Sequence, residues 1–172
     1  MSELRLIVES DFDSILGLND AEVQQTSPMD VTRLRSLVAM SCHAKVVTVG
    51  EQIAGFLIAL RDGAPYVNDN FRWFASRFAH FLYVDRIVVG SAFSGRGIGS
   101  ILYDDLFAFA RTQGLDTITC EYNLVPPNPS SRAFHDRFGF TEIGTQWVSG
   151  GTKKVSLQAV AAGTARKRSE SP

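Results

Sequence analysis

The most informative segment of the chain is Asp85-Arg86-Ile87-Val88-Val89-Gly90-Ser91-Ala92-Phe93-Ser94-Gly95-Arg96-Gly97-Ile98-Gly99-Ser100. An apolar strand ends here, and a helix begins directly after three glycines that alternate with Arg96 and Ile98. Glycine leaves room for main-chain N–H groups to face a ligand, and the positive end of a helix dipole favours an anion. We therefore predict a phosphate-binding loop.

The spacing of the glycines distinguishes this loop from two other phosphate loops. A P-loop has Gly-Lys followed by Ser or Thr, whereas the cation here is Arg96, in a different place. A dinucleotide fingerprint starting at Gly95 would need Gly or Ala where Ser100 stands, and too little chain follows for the second half of that fold. A glycine-rich turn without a ligand is the remaining alternative.

The segments after the loop alternate between helix and strand patterns. Apolar residues have helical spacing from Gly99 to Arg111, and a strand-like alternation runs from Thr117 to Leu124. Strand, helix and strand in this order predict a right-handed βαβ unit with parallel strands. The sequence pattern before the βαβ unit predicts a strand, two helices, a β-hairpin and a short helix. This short helix carries Phe71, Phe74 and Phe78 on one face.

Composition limits the class of protein. With 17 basic and 18 acidic side chains in 172 residues, the formal net charge is −1, so the bulk positive charge of nucleic-acid-binding proteins is missing. No apolar run is long enough to span a membrane and the start lacks a secretory pattern, so we expect a cytoplasmic protein. Cys42 and Cys120 stand far apart, which excludes a disulfide framework or a four-thiolate zinc site.

A second motif follows the βαβ unit, Asn128-Pro129-Ser130-Ser131-Arg132-Ala133-Phe134-His135-Asp136-Arg137-Phe138-Gly139-Phe140. Asn and Pro are suited to begin its helix, and Gly139 is suited to end it. Together with the glycine loop and the order of elements, it resembles the GNAT acyltransferase superfamily over residues 4–158. In that family an R/Q-x-x-G-x-G/A loop binds the acetyl-CoA pyrophosphate, and the helix reads N-x-x-(small)-x-x-F-Y-x-x-x-G-F.

The resemblance implies an α/β GNAT fold in residues 1–158: a mixed, mostly antiparallel sheet with a central parallel pair of splayed strands. Residues 159–172 are expected to be a disordered tail. The resemblance also implies acetyl-CoA as co-substrate, no metal, a small-molecule or peptide amine as acceptor, and no nucleic-acid or membrane partner. The chain could form a homodimer. The residues implied in binding acetyl-CoA are Ile87, Val88, Val89, Ser94, Gly95, Arg96, Gly97, Ile98, Gly99, Ser100, Asn123, Asn128 and Ser131.

Two positions depart from the family pattern. Ser94 replaces the usual Arg or Gln, which leaves the main-chain amides for the phosphates. His135 replaces the Tyr that often protonates the leaving thiolate, so we predict His135 as general acid, with Tyr103 or a water as alternatives. A non-catalytic acyl-CoA-binding or regulatory module is the competing function, and turnover of acetyl-CoA with an amine would distinguish the two.

Direct transfer from a thioester to an amine also needs a base, and two carboxylates are candidates. Asp85 lies in an otherwise apolar strand and must be paired or functional, while strict alternation directs Arg86 to the opposite face. Glu121 shares a polar strand face with Asn123, where a solvated sheet edge would also explain it. Both carboxylates stay candidates.

The acceptor is expected on the side of the splayed strands opposite to the phosphates. The insertion at residues 63–79 and the connection from Gln24 to Met29 are the two segments long enough to cover it. Tyr66 and Trp73, with Phe74, are predicted to form an aromatic wall. Asn68, Asp69 or Asn70 are predicted to hold an ammonium or hydroxyl group.

Overall fold

The computed structural model describes residues 1–23 and 25–164 as strands and helices in the predicted order. The strands are β1 (Ser2–Leu6), β2 (His43–Val49), β3 (Gln52–Arg61), β4 (Leu82–Val89), β5 (Thr117–Val125), β6 (Thr141–Val148) and β7 (Lys153–Ala161). The helices are α1 (Phe12–Ala21), α2 (Val31–Met40), α3 (Asp69–Ala75), α4 (Ile98–Thr112) and α5 (Pro129–Arg137). No helix in the described ranges is long and apolar enough to cross a membrane.

The strands form one sheet in the order β1-β2-β3-β4-β5-β7-β6. All neighbouring strands are antiparallel except β4 and β5, which confirms the predicted mixed sheet and its parallel unit. The parallel pair is joined only where Leu82 faces Ile118 and Tyr83 faces Thr119. Beyond these residues the two strands diverge, which leaves an opening in the middle of the sheet.

Helices cover both faces of the sheet and bury a core on each. On one face α1, α2 and α3 pack with the sheet through residues such as Ile15, Leu34 and Phe74, each fully buried. On the other face α4 and α5 pack through residues such as Leu102, Leu106 and Phe138. The predicted helix in the insertion is α3, and Asn68 caps it through hydrogen bonds from two main-chain amides.

The end of the domain differs from the predicted boundary. Strand β7 continues to Ala161, past residue 158, because Ala159 and Val160 pair with Thr119 and Ile118 of β5. Val160 is also buried in the core, so these residues belong to the domain and not to a tail. Residues 165–172 of the predicted tail lie outside the described part of the chain.

Candidate functional site

The opening between β4 and β5 forms a cavity of about 1000 Å³. Residues 84–89 of β4 line one wall, and residues 120–123 of β5 line the other. The start of α4 and part of α5 lie at one end of the cavity, while residues from α2, α3 and the segment before α2 lie at the other. The divergence of the parallel strands therefore brings the glycine loop and the polar residues of β4 and β5 to one cavity.

The glycine loop forms one end of this cavity. Gly97 is the N-cap of α4 with a φ of +77°, and Gly95 has a φ of +75°, a conformation that L side chains rarely adopt. A Cβ built on either residue meets no heavy atom within 4 Å, so the space in front of the loop is open. The first-turn amides of α4 have no intrahelical acceptor and are free to bind an anion.

The structure brings nearly all of the predicted acetyl-CoA residues to this cavity. Arg96 is not among the lining residues, and its guanidinium lies 5.3 Å from the centre of the Phe93 ring. Asn123 lines the opposite wall and donates a hydrogen bond to Gln25. The predicted residues that line the cavity are Ile87, Val88, Val89, Ser94, Gly95, Gly97, Ile98, Gly99, Ser100, Asn123, Asn128 and Ser131.

A β-bulge in β4 corrects the expectation that Arg86 faces away from Asp85. Ile58 of β3 pairs with Arg86, but the next residue of β3, Ala59, pairs with Val84, so Asp85 is the extra residue. A bulge interrupts the strict alternation of a strand and lets consecutive side chains meet. The Nε of Arg86 donates to Oδ2 of Asp85 at 2.8 Å, and both side chains are only 4% exposed.

Both carboxylate oxygens of Asp85 are occupied by protein groups. Arg86 binds Oδ2, and the hydroxyl of Tyr66 donates to Oδ1 at 2.5 Å. Arg86 also donates to the side chain of Asn19 and to the carbonyl of Ser27, at 3.0 and 2.8 Å. The pair is thus buried and held by several further hydrogen bonds, which is the condition under which a buried ion pair is tolerated.

Glu121 has a different environment. The hydroxyl of Tyr83 donates to its Oε1 at 2.8 Å, while no residue that the structure describes forms a hydrogen bond to its buried Oε2 within 3.5 Å. Burial raises the pKa of Glu121 to about 8; the nearby Asp85 charge also raises this pKa, but by less than the Tyr83 hydrogen bond lowers it. The position is not a solvated sheet edge, because β5 lies between β4 and β7. Glu121 therefore offers a free carboxylate oxygen to the cavity.

His135 lines the cavity next to Tyr103, and both of its ring nitrogens are engaged. Nδ1 lies 2.7 Å from the carbonyl of Ser131, which can only accept, so Nδ1 carries the proton. Nε2 then accepts a hydrogen bond from the hydroxyl of Tyr103 at 2.6 Å. Burial lowers the pKa of His135 to about 4, so the ring is neutral near pH 7. The proton shared between the two side chains is therefore carried by the Tyr103 hydroxyl.

The far end of the cavity is built by the two segments predicted to cover the acceptor. Tyr66, Asn68, Asp69 and Asn70 of the insertion line it, as do residues 25–27 of the connection. Gln24 lies outside the described residues. The insertion is held over the sheet by a hydrogen bond of 3.0 Å from Gln146 to Asn70.

Trp73 does not line the cavity, contrary to the predicted aromatic wall. It lies against β6, where a Cβ at Gly144 would come within 2.4 Å of its ring. The guanidinium of Arg77 covers the other side at 3.4 Å from the ring centre. Phe74 is fully buried in the core. The glycine in β6 creates the recess that accepts Trp73, and no local pattern around Trp73 indicates that recess.

Two cations at the far end were not identified in the sequence. Arg33 of α2 donates to the hydroxyl of Tyr66 at 3.3 Å, and Lys153 of β7 donates to the carbonyl of Thr26 at 3.2 Å. Both line the cavity. They are distant from the motifs in the sequence, and only the packing of α2 against the sheet brings Arg33 to Tyr66.

Comparisons with known proteins agree with this geometry. The chain is 37% identical over 59 residues to phosphinothricin N-acetyltransferase of Streptomyces coelicolor, a match that covers 34% of this chain and only 33% of that protein. The ribosomal-protein-S18-alanine N-acetyltransferase from Escherichia coli matches 100% of this chain and 99% of its own, with a TM-score of 0.72 and 15% identity.

A further solved structure, yncA from Salmonella typhimurium with acetyl-CoA, has a TM-score of 0.71 and 16% identity over 99% of each chain. At such low identity these two structures establish the fold alone. The sequence itself matches the family model described as the acetyltransferase (GNAT) family over residues 9–140, most of the domain. This chain therefore belongs to the GNAT acetyltransferase family.

Proposed function

We propose that this protein transfers the acetyl group of acetyl-CoA directly to an amine while both substrates are bound. One observation carries the proposal: the opening between β4 and β5 connects a glycine-lined helix start with a carboxylate that has a free oxygen. An anion can bind at one end, and a proton can be removed at the other. The family of the chain and the acetyl-CoA in yncA support this assignment.

The residues present fit acetyl-CoA. The open space in front of Gly95 and Gly97 suits the pyrophosphate, which the amides at the start of α4 would bind. Beyond Tyr83, β4 has no partner strand on its β5 side, so its main chain can hydrogen-bond the pantetheine arm. The arm then leads from the loop towards Glu121, and a main-chain N–H along β4 would polarise the thioester carbonyl.

Glu121 is the base that the geometry favours. Its Oε2 is free, whereas both oxygens of Asp85 are occupied by Arg86 and Tyr66. Glu121 takes a proton from the ammonium, and the free amine nitrogen attacks the thioester carbon. The carbon–sulfur bond breaks, the acylated nitrogen loses its second proton to solvent, and the leaving thiolate takes a proton from the acid. A base with a pKa of about 8 is suited to an ammonium substrate at neutral to mildly basic pH.

Transfer without a covalent acyl-enzyme follows from the state of Cys120. The thiol is 2% exposed, and burial raises its pKa well above the ordinary value. The thiolate is the nucleophilic form of cysteine, and it is suppressed at this position. The acetyl group therefore passes from sulfur to nitrogen in one step.

Release of CoA from acetyl-CoA, measured with a thiol reagent across a panel of amines, tests the proposed function. We expect CoA release that depends on both the amine and the protein. Tight binding of acetyl-CoA without release with any amine would instead identify a non-catalytic acyl-CoA-binding module.

The proton donor to the leaving thiolate can be identified with two variants. We propose Tyr103 as the donor and His135 as the residue that positions its hydroxyl, because neutral His135 directs its own proton to Ser131. Tyr103→Phe should lower kcat about tenfold or more at saturating substrates. His135→Ala should have a smaller effect. A large loss in His135→Ala with a fully active Tyr103→Phe would return the acid role to His135.

The phosphate loop can be tested with Gly97→Val. A branched side chain at a φ of +77° would occupy the open space in front of the loop, so acetyl-CoA affinity should fall about 100-fold in calorimetry. Gly114→Val is the matched control, since Gly114 follows the other end of α4 with a φ of +68° and open space around it. If both variants bind acetyl-CoA like the parent protein, the loop is not the phosphate site.

A further inference from the structure

The far end of the cavity holds two cations that lack a carboxylate partner. The guanidinium of Arg33 is bound to the Tyr66 hydroxyl, and the ammonium of Lys153 to the carbonyl of Thr26. Within residues 1–23 and 25–164, no acidic side chain lies within 4.0 Å of either group. Glu22 and Asp69 also line the cavity, but neither pairs with these cations.

The same cavity wall places Arg33 close to the proposed reaction centre. The hydroxyl of Tyr66 lies 3.3 Å from Nη2 of Arg33 and 2.5 Å from Oδ1 of Asp85. Asp85 in turn is close enough to Glu121 for its charge to raise the pKa of that carboxyl. The Tyr66 hydroxyl thus links Arg33 to Asp85, and Glu121 lines the same cavity.

The charges at this end suit a ligand with two opposite charges. The Asp85 carboxylate is neutralised internally by Arg86. Besides the lining carboxylates of Glu22 and Asp69, the ionisable groups left for a ligand at this end are Glu121, Arg33 and Lys153. An amine alone would satisfy Glu121 and leave both cations unused. A ligand with an oxyanion beside its amine would satisfy all three groups.

On the basis of the proposed function, we infer that the acceptor is a free amino acid whose carboxylate is bound by Arg33 and Lys153 while Glu121 accepts a proton from its amine. The N-terminus of a peptide has no carboxylate next to its amine, so it would leave the two cations unpaired. The inference thus selects free amino acids over peptides and over simple amines.

The test compares each of the twenty standard amino acids with its carboxamide as acceptors in the CoA-release assay. We expect kcat/KM for the best amino acid to exceed that of its carboxamide about tenfold or more, the size of a charge-assisted contact. The carboxamide has the less basic amine and so more of the reactive free base. A preference for the acid therefore reports recognition of the carboxylate.

Variants link the preference to the two cations. In the double variant Arg33→Gln with Lys153→Gln the preference should disappear, while the KM for acetyl-CoA stays unchanged. Arg35→Gln is the matched control, because Arg35 lies on the same helix, pairs with Glu9 and does not line the cavity. An unchanged preference in the double variant overturns the inference, as does a defect confined to acetyl-CoA.

A binding measurement separates this inference from the proposed function. N-acetylleucine and its carboxamide are titrated into the protein saturated with CoA, so no turnover is needed. Tighter binding of the acid, lost in the double variant, supports the anion site even if no amine is acetylated. Equal affinities for the two compounds overturn it, whereas the absence of CoA release with any amine overturns only the proposed function.

Discussion

Glu121→Gln is expected to lower kcat/KM about 1000-fold, because an amide of the same shape cannot take the proton of the amine. Glutamine keeps the hydrogen bond from Tyr83 and the volume of the side chain, so substrate binding should change little. Steady-state CoA release measures the loss. The matched control is Glu142→Gln, since Glu142 lies on β6 against Ser156 and does not line the cavity.

The pH profile provides a second signature of Glu121. The pKa of about 8 predicts that kcat/KM of the parent protein rises with pH and levels off above about 8, as the carboxylate forms. The residual activity of the variant should lack this step. A variant that retains both the parent rate and the parent pH step would show that another group is the base.

The same substitution should stabilise the fold at high pH. The pKa of Glu121 is raised on folding from 4.5 to about 8, so its stabilising contribution is complete below 4.5 and is lost as the pH rises to about 8. The glutamine variant does not undergo this loss. Between these pH values, the free energy of unfolding of the variant should therefore increase relative to that of the parent protein. The same measurement shows whether the variant is folded, so that a loss of activity is not mistaken for unfolding.

The sequence predicted those parts of the site that are encoded locally. Gly95 and Gly97 have positive φ values, a requirement that the loop itself imposes, and Gly97 has the predicted place at the start of α4. The Asn128 cap of α5 is local in the same sense. The splayed strands followed from the resemblance, and their pairing at only Leu82 and Tyr83 confirms it.

The parts that were not predicted depend on pairing between distant segments. Alternation placed Asp85 and Arg86 on opposite faces, but the register between β3 and β4 contains a bulge that no residue of β4 reveals. Trp73 was directed away from the cavity by a glycine in β6. Arg33 lies at the cavity because of how α2 packs against the sheet. The local sequence does not distinguish it from Arg35, which lies on the same helix and does not line the cavity.

Asp85→Asn is expected to lower the free energy of unfolding by about 3 kcal/mol. The substitution leaves the guanidinium of Arg86 buried against a neutral amide, with its side chain 4% exposed. Urea unfolding followed by tryptophan fluorescence measures the change. Glu9→Gln is the control, because it removes the partner of Arg35 in an ion pair exposed to 56% and 75%, where about 1 kcal/mol or less is expected.

A second variant separates the lost ion pair from a general loss of packing. Replacing both Asp85 by Asn and Arg86 by Met removes the buried charge, so the double variant should be more stable than Asp85→Asn alone. If Asp85→Asn costs no more than Glu9→Gln, the buried pair does not support the fold.

The activity of Asp85→Asn then decides between the two carboxylates. At a temperature where this variant is folded, it should keep kcat/KM within about tenfold of the parent value, because Asp85 holds Arg86 and Tyr66 and does not present a free oxygen to the amine. Glu121→Gln should lose about 100-fold more under the same conditions. The reverse ranking would make Asp85 the base and Glu121 the structural carboxyl, since only one of the two is required to remove the proton of the amine.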